Sequence, residues 1–241
     1  MEAEENRPTR GLSVEDQVAI AAYAARATWP AGFTLYERGG RADGMFFVSR
    51  GRIVLRSRGK SGRGFIPAII VAGETFGAEG LSPGGHYATD ATAEIESETI
   101  FLGSGKFRTL MREQPVRALA IVGQVMEERT AFLDRLRELA TLNVEQRLVN
   151  TLLRLAQSKS FTDQHGRIEL TPARYRILCE LVGATRESVS LVLNRLAQED
   201  LVDRSGSTFI VAPFDQLQAR ADQERSVPLT LSSEQRGYSV A

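Results

Sequence analysis

The spacing of apolar residues divides the 241-residue chain into three parts. The first part carries short β-prone runs separated by turns, at 45–48, 52–55 and 67–71. Of the 21 glycines, 13 lie between Gly32 and Gly85, within the same part. Closely spaced strands and glycine-containing turns are typical of an antiparallel β-roll or barrel. We expect a further β-stretch at 90–102 to complete this roll and a short helix near 106–112 to close its end.

The second part predicts an uninterrupted helix from 115 to 142. Its seam positions alternate in spacing between three and four residues, at Leu119, Val122, Met126, Arg129, Leu133, Leu136 and Ala140. This is the spacing of a coiled coil, so we expect two copies of the chain to pair along it. Val125, Phe132 and Leu139 widen the apolar face. Because Arg129 interrupts the seam, a helix packed on its own β-domain remains the alternative.

The third part begins with a helix at 144–157 and then predicts two helices joined by a glycine turn. Gly183 can supply the left-handed residue that ends the first of the two, and Thr185 is a good N-cap for the second. One face of the second helix is apolar, with Val189, Val192, Leu193 and Leu196. This pattern is typical of a helix-turn-helix.

The opposite face of the second helix is polar and predicts DNA reading. The residues left facing outward are Arg186, Glu187, Ser190 and Asn194. An arginine can donate two hydrogen bonds to guanine, a glutamate can accept one from cytosine, and Leu191 could meet a thymine methyl group. An ordinary surface helix pair is the alternative. The segment 201–211 favours DNA binding, because two β-rich runs around a Ser-Gly turn make a hairpin and thus a winged helix.

Composition excludes several classes of function. Lys and Arg number 30 and so do Asp and Glu, so overall charge gives no affinity for polyanions. Cys179 is the single cysteine, and His86 and His165 are the two histidines, which leaves too few ligands for a zinc, haem or iron–sulfur centre within one chain. We therefore expect no metal and no cofactor. Cys179 is expected in the core rather than as a redox switch.

Targeting and catalytic signals are weak. The first dozen residues are charged, and the longest apolar stretch, 66–72, is too short to span a bilayer. We expect a cytoplasmic protein that is not bound to a membrane. No residue pattern of a catalytic site is found, so an enzyme is not expected.

In this order, a glycine-rich β-roll, a long dimerisation helix and a winged helix-turn-helix resemble the cyclic-AMP receptor protein and fumarate-nitrate regulator (CRP/FNR) superfamily of bacterial transcription factors. The resemblance covers about 33–213. Its landmarks are 39–51, 73–77, 106–110 followed by Pro115, 147–156 and 185–190. It implies an α+β fold, a homodimer, binding to double-stranded DNA and contact with RNA polymerase.

The resemblance also locates a cyclic-nucleotide pocket, and there the chain departs from the family pattern. Cyclic-AMP-binding members carry a Gly-Glu pair, whose Glu binds the ribose, and an Arg-Ser pair, whose Arg binds the phosphate. The corresponding residues here are Gly77, Ala78, Tyr87 and Ala88. Phe132 and Leu133 replace the polar residues that read adenine and are expected to pack as core. Cyclic AMP is therefore not expected to bind. A shifted loop carrying Glu79 or His86 could partly restore a pocket.

These observations predict an N-terminal arm at 1–16, a β-roll domain at 17–114, a dimerisation helix at 115–142, a winged helix-turn-helix domain at 143–220 and a flexible tail at 221–241. The predicted function is a transcription regulator that binds a two-fold-related promoter site without cyclic AMP. Relatives that lack the nucleotide residues include ligand-independent activators tied to stress responses. Expected phosphate contacts are Thr171, Thr185 and Ser188. A regulator whose β-roll binds a different small ligand, or a cyclic nucleotide in a remodelled pocket, is the alternative.

Overall fold

The computed structural model describes residues 12, 14–59 and 64–226. Helix α1 (Val14–Ala21) leads into the strands of the β-roll. These are β1 (Ala25–Trp29), β2 (Thr34–Tyr36), β3 (Gly44–Arg50), β4 (Arg52–Arg58), β5 (Gly64–Val71), β6 (Thr75–Phe76), β7 (Asp90–Ala93) and β8 (Ser97–Gly103). A single 3-10 turn, Ala78–Leu81, lies between β6 and β7.

The strands form two antiparallel four-stranded sheets, in the orders β1-β8-β3-β6 and β2-β7-β4-β5. The first sheet brings Phe46 opposite both Phe101 and Phe76. Gly51 joins β3 to β4 at a φ of 92°, a conformation that other residues rarely adopt. The predicted roll is confirmed, and the stretch at 90–102 is two strands rather than one.

Two helices close the roll and continue away from it, α2 (Ser104–Glu113) and α3 (Pro115–Thr141). Helix α1 packs beneath them, where Ile20 is 1% exposed and joins an apolar cluster with Leu110 and Ile121. Arg117 of α3 also forms ion pairs with Glu15 and Asp16 of α1. The predicted arm at 1–16 thus ends inside a helix that belongs to the fold, and 1–11 lie outside the described residues.

The last part contains α4 (Val144–Ala156), β9 (Ile168–Leu170), α5 (Pro172–Val182), α6 (Arg186–Gln198), β10 (Val202–Ser205), β11 (Thr208–Val211) and α7 (Phe214–Ser226). The hairpin β10–β11 gains β9 as a third antiparallel strand. Helix α7 continues past 221, where a flexible tail was predicted to begin, because Leu217 and Ala221 are buried in the domain core. The rest of the predicted tail, 227–241, is outside the described residues. Among the described helices, none has the length and apolar character needed to cross a bilayer.

Candidate nucleic-acid interface and degenerate ligand pocket

The turn between α5 and α6 has the local geometry that the sequence predicts. Gly183 ends α5 in the left-handed region, at φ 65° and ψ 42°. The Ala184 amide then donates to the Cys179 carbonyl at 3.1 Å. Thr185 caps α6, since its hydroxyl oxygen accepts a hydrogen bond from the Ser188 amide at 3.2 Å. These contacts satisfy backbone groups that the helix ends would otherwise leave unpaired.

Helix α6 buries one face and leaves the other open. Its buried residues are Val189, Val192, Leu193 and Leu196. Arg186, Glu187 and Asn194 are exposed, Leu191 is 70% exposed, and Ser190 is half-buried. A hydrogen bond from its own amide and one from the Thr185 hydroxyl lower the pKa of Glu187, so this carboxylate stays charged. The open face carries the donors and acceptors that base edges require.

Arg186 is not tied to a carboxylate. It forms no salt bridge with any other residue that the structure describes, whereas Arg195 on the same helix pairs with Glu145. Its guanidinium is thus available for an external acceptor, which is the condition for bidentate contact with guanine.

Two of the three hydroxyl groups predicted to contact phosphates already act as helix caps. Thr171 accepts from the Arg174 amide at 3.4 Å at the start of α5. The oxygens of Thr185 and Ser188 lie 3.1 Å apart at the start of α6. Accepting a bond from an amide leaves the hydroxyl hydrogen of Thr171 able to donate, so its cap role is compatible with phosphate binding. The Thr185 hydroxyl donates to Glu187, so a phosphate would compete with that carboxylate for its hydrogen.

Tyr175 of α5 holds the recognition helix and was missed by the sequence reasoning. Its hydroxyl donates to the Arg186 carbonyl at 2.6 Å, and its ring lies 5.8 Å from that of Phe209 in the wing. Burial raises the pKa of Tyr175 to about 12, so the hydroxyl keeps its proton. Because its partner is a backbone carbonyl, no side-chain pattern marks this contact.

The long helix α3 presents an exposed apolar face. The exposed fractions are 68% for Leu119, 39% for Val122, 51% for Met126, 53% for Leu133 and 44% for Leu136. Arg129 and Ala140 are exposed on the same helix. Single exposed apolar residues are ordinary, but a row of them along one helix marks an interaction surface. All the predicted seam positions are thus uncovered in the single chain.

Aromatic rings occupy the interior of the β-roll beside the predicted pocket. Gly77 is left-handed, with φ 72°, and a Cβ built on it would lie 3.1 Å from the Tyr87 ring. The rings of Tyr36 and Tyr87 stack with centroids 3.6 Å apart and an interplanar angle of 7°. Tyr87 is 7% exposed, and Phe46 and Phe76 stack at 5.0 Å in the same cluster. Side chains therefore fill the space under the Gly77 turn.

The other predicted pocket residues do not share one environment. Glu79 accepts a hydrogen bond from the Ala88 amide at 3.2 Å, so the two ends of the turn are joined directly. His86 is exposed. Phe132 and Leu133 are 45% and 53% exposed, so the expectation that they pack as core does not hold within one chain. Glu128, one turn before Phe132 on α3, contacts the roll.

Glu128 is a second functional candidate that the sequence reasoning missed. Its carboxylate accepts a hydrogen bond from the Thr75 hydroxyl of β6, which joins α3 to the roll. Burial raises the pKa of Glu128 to about 7, the charges of Glu74 and Glu79 act in the same direction, and the Thr75 hydrogen bond opposes them. A glutamate in a helix of charged residues gives no sequence signal of this kind.

The raised pKa of Glu128 predicts a pH-dependent stability. The folded pKa is about 7 against an ordinary 4.5, so the fold favours the protonated form. Below about pH 4.5 this preference has its full stabilising effect. The effect is lost as the pH rises from there through 7, which lowers the free energy of unfolding by about 3 kcal/mol in all. Glu128→Gln should therefore unfold at higher denaturant than the wild type at about pH 8, and the difference should shrink towards about pH 5. Denaturant titrations at both pH values measure this.

Glu127→Gln is the matched control, because Glu127 is exposed on the same helix. It should leave the wild-type pH dependence unchanged. If Glu128→Gln unfolds at the same denaturant concentration as the wild type at both pH values, Glu128 does not have a raised pKa in the folded protein.

Two family matches cover most of the chain. Residues 26–114 match the cyclic nucleotide-binding domain family, and residues 146–220 match the Crp-like helix-turn-helix domain family. The two domains follow one another in the order that the fold shows. The chain belongs to the CRP/FNR family of DNA-binding transcription regulators.

Curated CRP/FNR relatives align along most of the chain. The cAMP-activated global transcriptional regulator Vfr of Pseudomonas aeruginosa is 29% identical over 197 residues, which is 80% of this chain and 91% of the relative. The cAMP-activated global transcriptional regulator CRP of Haemophilus influenzae is 27% identical over 189 residues, 76% of this chain and 82% of the relative.

Solved CRP/FNR structures share the fold. The c-di-GMP responsive global regulator CLP of Xanthomonas campestris has a TM-score of 0.71 at 19% identity, covering 83% of this chain and 99% of that one. A mutant of CooA from Carboxydothermus hydrogenoformans has a TM-score of 0.66 at 18% identity, covering 84% and 90%. At these identities the likeness establishes the CRP/FNR fold, and the ligand must be argued from the pocket.

Proposed function

We propose that this regulator binds a two-fold-related DNA site as a homodimer and does so without a cyclic nucleotide. Two recognition helices can enter successive major grooves only if they are held roughly 34 Å apart. The exposed apolar face of α3, from Leu119 to Leu136, supports pairing of two chains. Pairing along α3 would place two copies of α6 in a fixed relation.

Sequence reading is assigned to the open face of α6. Arg186 and Glu187 occupy its first turn, Ser190 and Leu191 its second, and Asn194 its third. Since the whole chain carries no net charge, affinity for phosphate must come from locally placed cations. Arg204 on the wing is exposed and supplies such a charge beside α6.

The stacked pair Tyr36 and Tyr87 carries the proposal that no cyclic nucleotide is needed. A cyclic phosphate requires a charge-assisted donor, and Tyr87 stands where the resemblance puts an arginine. The Tyr87 ring is buried within the roll, where it stacks against Tyr36. Ligand binding would have to displace a packed aromatic pair, at a cost of about 0.5–1.5 kcal/mol for the stacking alone.

Millimolar cyclic AMP is therefore expected to change neither the DNA affinity nor the melting temperature. A ligand that bound the folded state at 100 times its Kd would stabilise it by about 2.7 kcal/mol, a shift that calorimetry detects easily. Fluorescence anisotropy on DNA gives the second measurement. Cyclic di-GMP is tested in parallel.

An effector-dependent regulator is the second candidate, and the names of the relatives favour it, because Vfr and CRP are described as cAMP-activated. It predicts the opposite result: no specific DNA binding until a nucleotide is added. Contact with RNA polymerase is proposed from family membership, and transcription in vitro with purified polymerase tests it. A role in stress responses stays a prediction.

A further inference from the structure

Helix α5 of the helix-turn-helix lies against strands β4 and β5 of the same chain. The Arg56 Nε and a Glu180 carboxylate oxygen form an ion pair at 2.7 Å, with side chains only 19% and 22% exposed. Beside this pair, Val54 and Ile66 of the roll and Leu181 of α5 form a separate buried apolar cluster. A charge pair next to an apolar contact fixes both the distance and the rotation of a helix.

A second contact joins the roll to the loop between α4 and β9. Arg52 of β4 is 4% exposed and pairs with Glu94 at 2.9 Å. Its guanidinium also donates to the Ser160 carbonyl and lies 4.8 Å from the centre of the Phe161 ring. The DNA-binding domain thus touches β4 at two separate places.

The C-terminal end of α5 is held as well. Arg147 of α4 donates to the Val182 carbonyl at 3.0 Å and to the Leu142 carbonyl at 2.8 Å, which ties the turn before α6 to the end of α3. The Tyr175 hydroxyl of α5 donates to the Arg186 carbonyl, so the position of α6 depends on that of α5. Polar contacts of α5 therefore connect it to β4 on one side and to the recognition helix on the other.

Docking on the roll leaves the reading face of α6 open. Arg186 and Glu187 are exposed, and Leu191 is 70% exposed, while α5 is docked. A contact that hid the recognition helix would inhibit DNA binding. Since docking leaves this face open, it does not block DNA sterically, and it acts on DNA binding through the orientation of α6.

We infer that β4 and β5 are an intrachain docking surface for α5, and that the ion pair between Arg56 and Glu180 is a positioning contact that holds α6 in its DNA-binding orientation. This inference rests on the proposed ligand-free DNA binding. The docked β-roll performs the task that a bound nucleotide would otherwise perform, which is to favour one arrangement of the two domains.

The test reverses each charge and then both. Arg56→Glu or Glu180→Arg places like charges within about 3 Å, which is repulsive and undocks α5. Each single variant should lose at least about tenfold in affinity for a duplex selected from random DNA by the ligand-free wild type, which corresponds to about 1.4 kcal/mol. The double variant restores an attractive pair and should recover to within about threefold.

Hydrogen exchange supplies a readout that does not depend on DNA. Amides in β5 and α5 should lose protection in each single variant and regain it in the double variant. Arg50→Glu is the matched control, since Arg50 pairs with Glu96 and Glu98 on the exposed side of the same roll. It should change neither measurement. If a charge reversal does not fold, Arg56→Gln and Glu180→Gln each remove the pair with a smaller perturbation, and the double variant should lose no more affinity than either single one.

The outcomes separate this inference from the proposed function. A ligand-free wild type that selects no specific duplex defeats the proposed function. Wild-type binding with unaltered affinity in the single variants defeats the positioning role, whatever happens to hydrogen exchange. Tighter DNA binding by the single variants would show that docking inhibits, which also overturns the inference.

Discussion

Leu133→Asp is expected to yield a monomer that binds DNA with near non-specific affinity. Leu133 is 53% exposed in the single chain, so an aspartate there costs one subunit little. In a paired α3 the same aspartate would be buried against its own copy, where an unpaired charge costs several kcal/mol. Because specific binding needs two linked recognition helices, affinity for the selected site should fall by at least about 10³-fold. Light scattering measures the mass, and anisotropy measures the affinity.

Val18→Asp is the control for this change. Val18 is 68% exposed on α1, away from the predicted seam, so the same substitution should leave mass and DNA affinity unchanged. Leu136→Asp should reproduce the effect of Leu133→Asp. A dimeric mass for both seam variants would reject pairing along this face of α3. It would favour the alternative, in which the helix packs on its own β-domain.

Local sequence signals predicted the helix-turn-helix well. Gly183 and Thr185 act through contacts with residues no more than four positions away, so their roles can be read from spacing. The exposed row on α3 was equally visible, because helical periodicity decides which residues share a face. In both cases the physical cause lies within one or two turns of helix.

Short or weakly patterned elements were missed for a related reason. Strand β9 has three residues, too few to show alternation, and it exists because β11 offers an edge to pair with. Helix α1 is held by packing of Ile20 against residues about 90 to 100 positions later in the chain. Tertiary contacts of this range override local preference and leave no local trace.

In the candidate pocket, too, contacts between distant residues could not be predicted from the sequence. The departures at Ala78 and Tyr87 could be read by resemblance, but what replaces the ligand could not. Tyr36 and Glu128 complete that region from β2 and α3, and neither belongs to a family landmark. Likewise, Arg56 and Glu180 are 124 positions apart, and their pairing depends on how two domains meet.

Arg186→Ala is expected to lower the affinity for the selected site and to flatten the base preference at one position of each half-site. The Arg186 guanidinium has no salt bridge to a described carboxylate, and Tyr175 fixes its backbone through the 2.6 Å hydrogen bond. Two parallel hydrogen bonds to guanine are worth about 1–3 kcal/mol of discrimination per half-site. Competition between the selected duplex and duplexes with each base changed measures the loss position by position.

Arg204→Ala provides the comparison that separates base reading from charge. Arg204 lies on the wing, with its guanidinium 5.6 Å from the Phe209 ring, and is expected to meet phosphate rather than a base edge. Its loss should weaken all duplexes alike and reduce the salt dependence of binding by about one unit of slope per subunit. If Arg186→Ala behaves in the same way, with equal losses on selected and random DNA, then Arg186 is a phosphate contact. The reading of sequence by α6 would then rest on Glu187, Ser190 and Leu191.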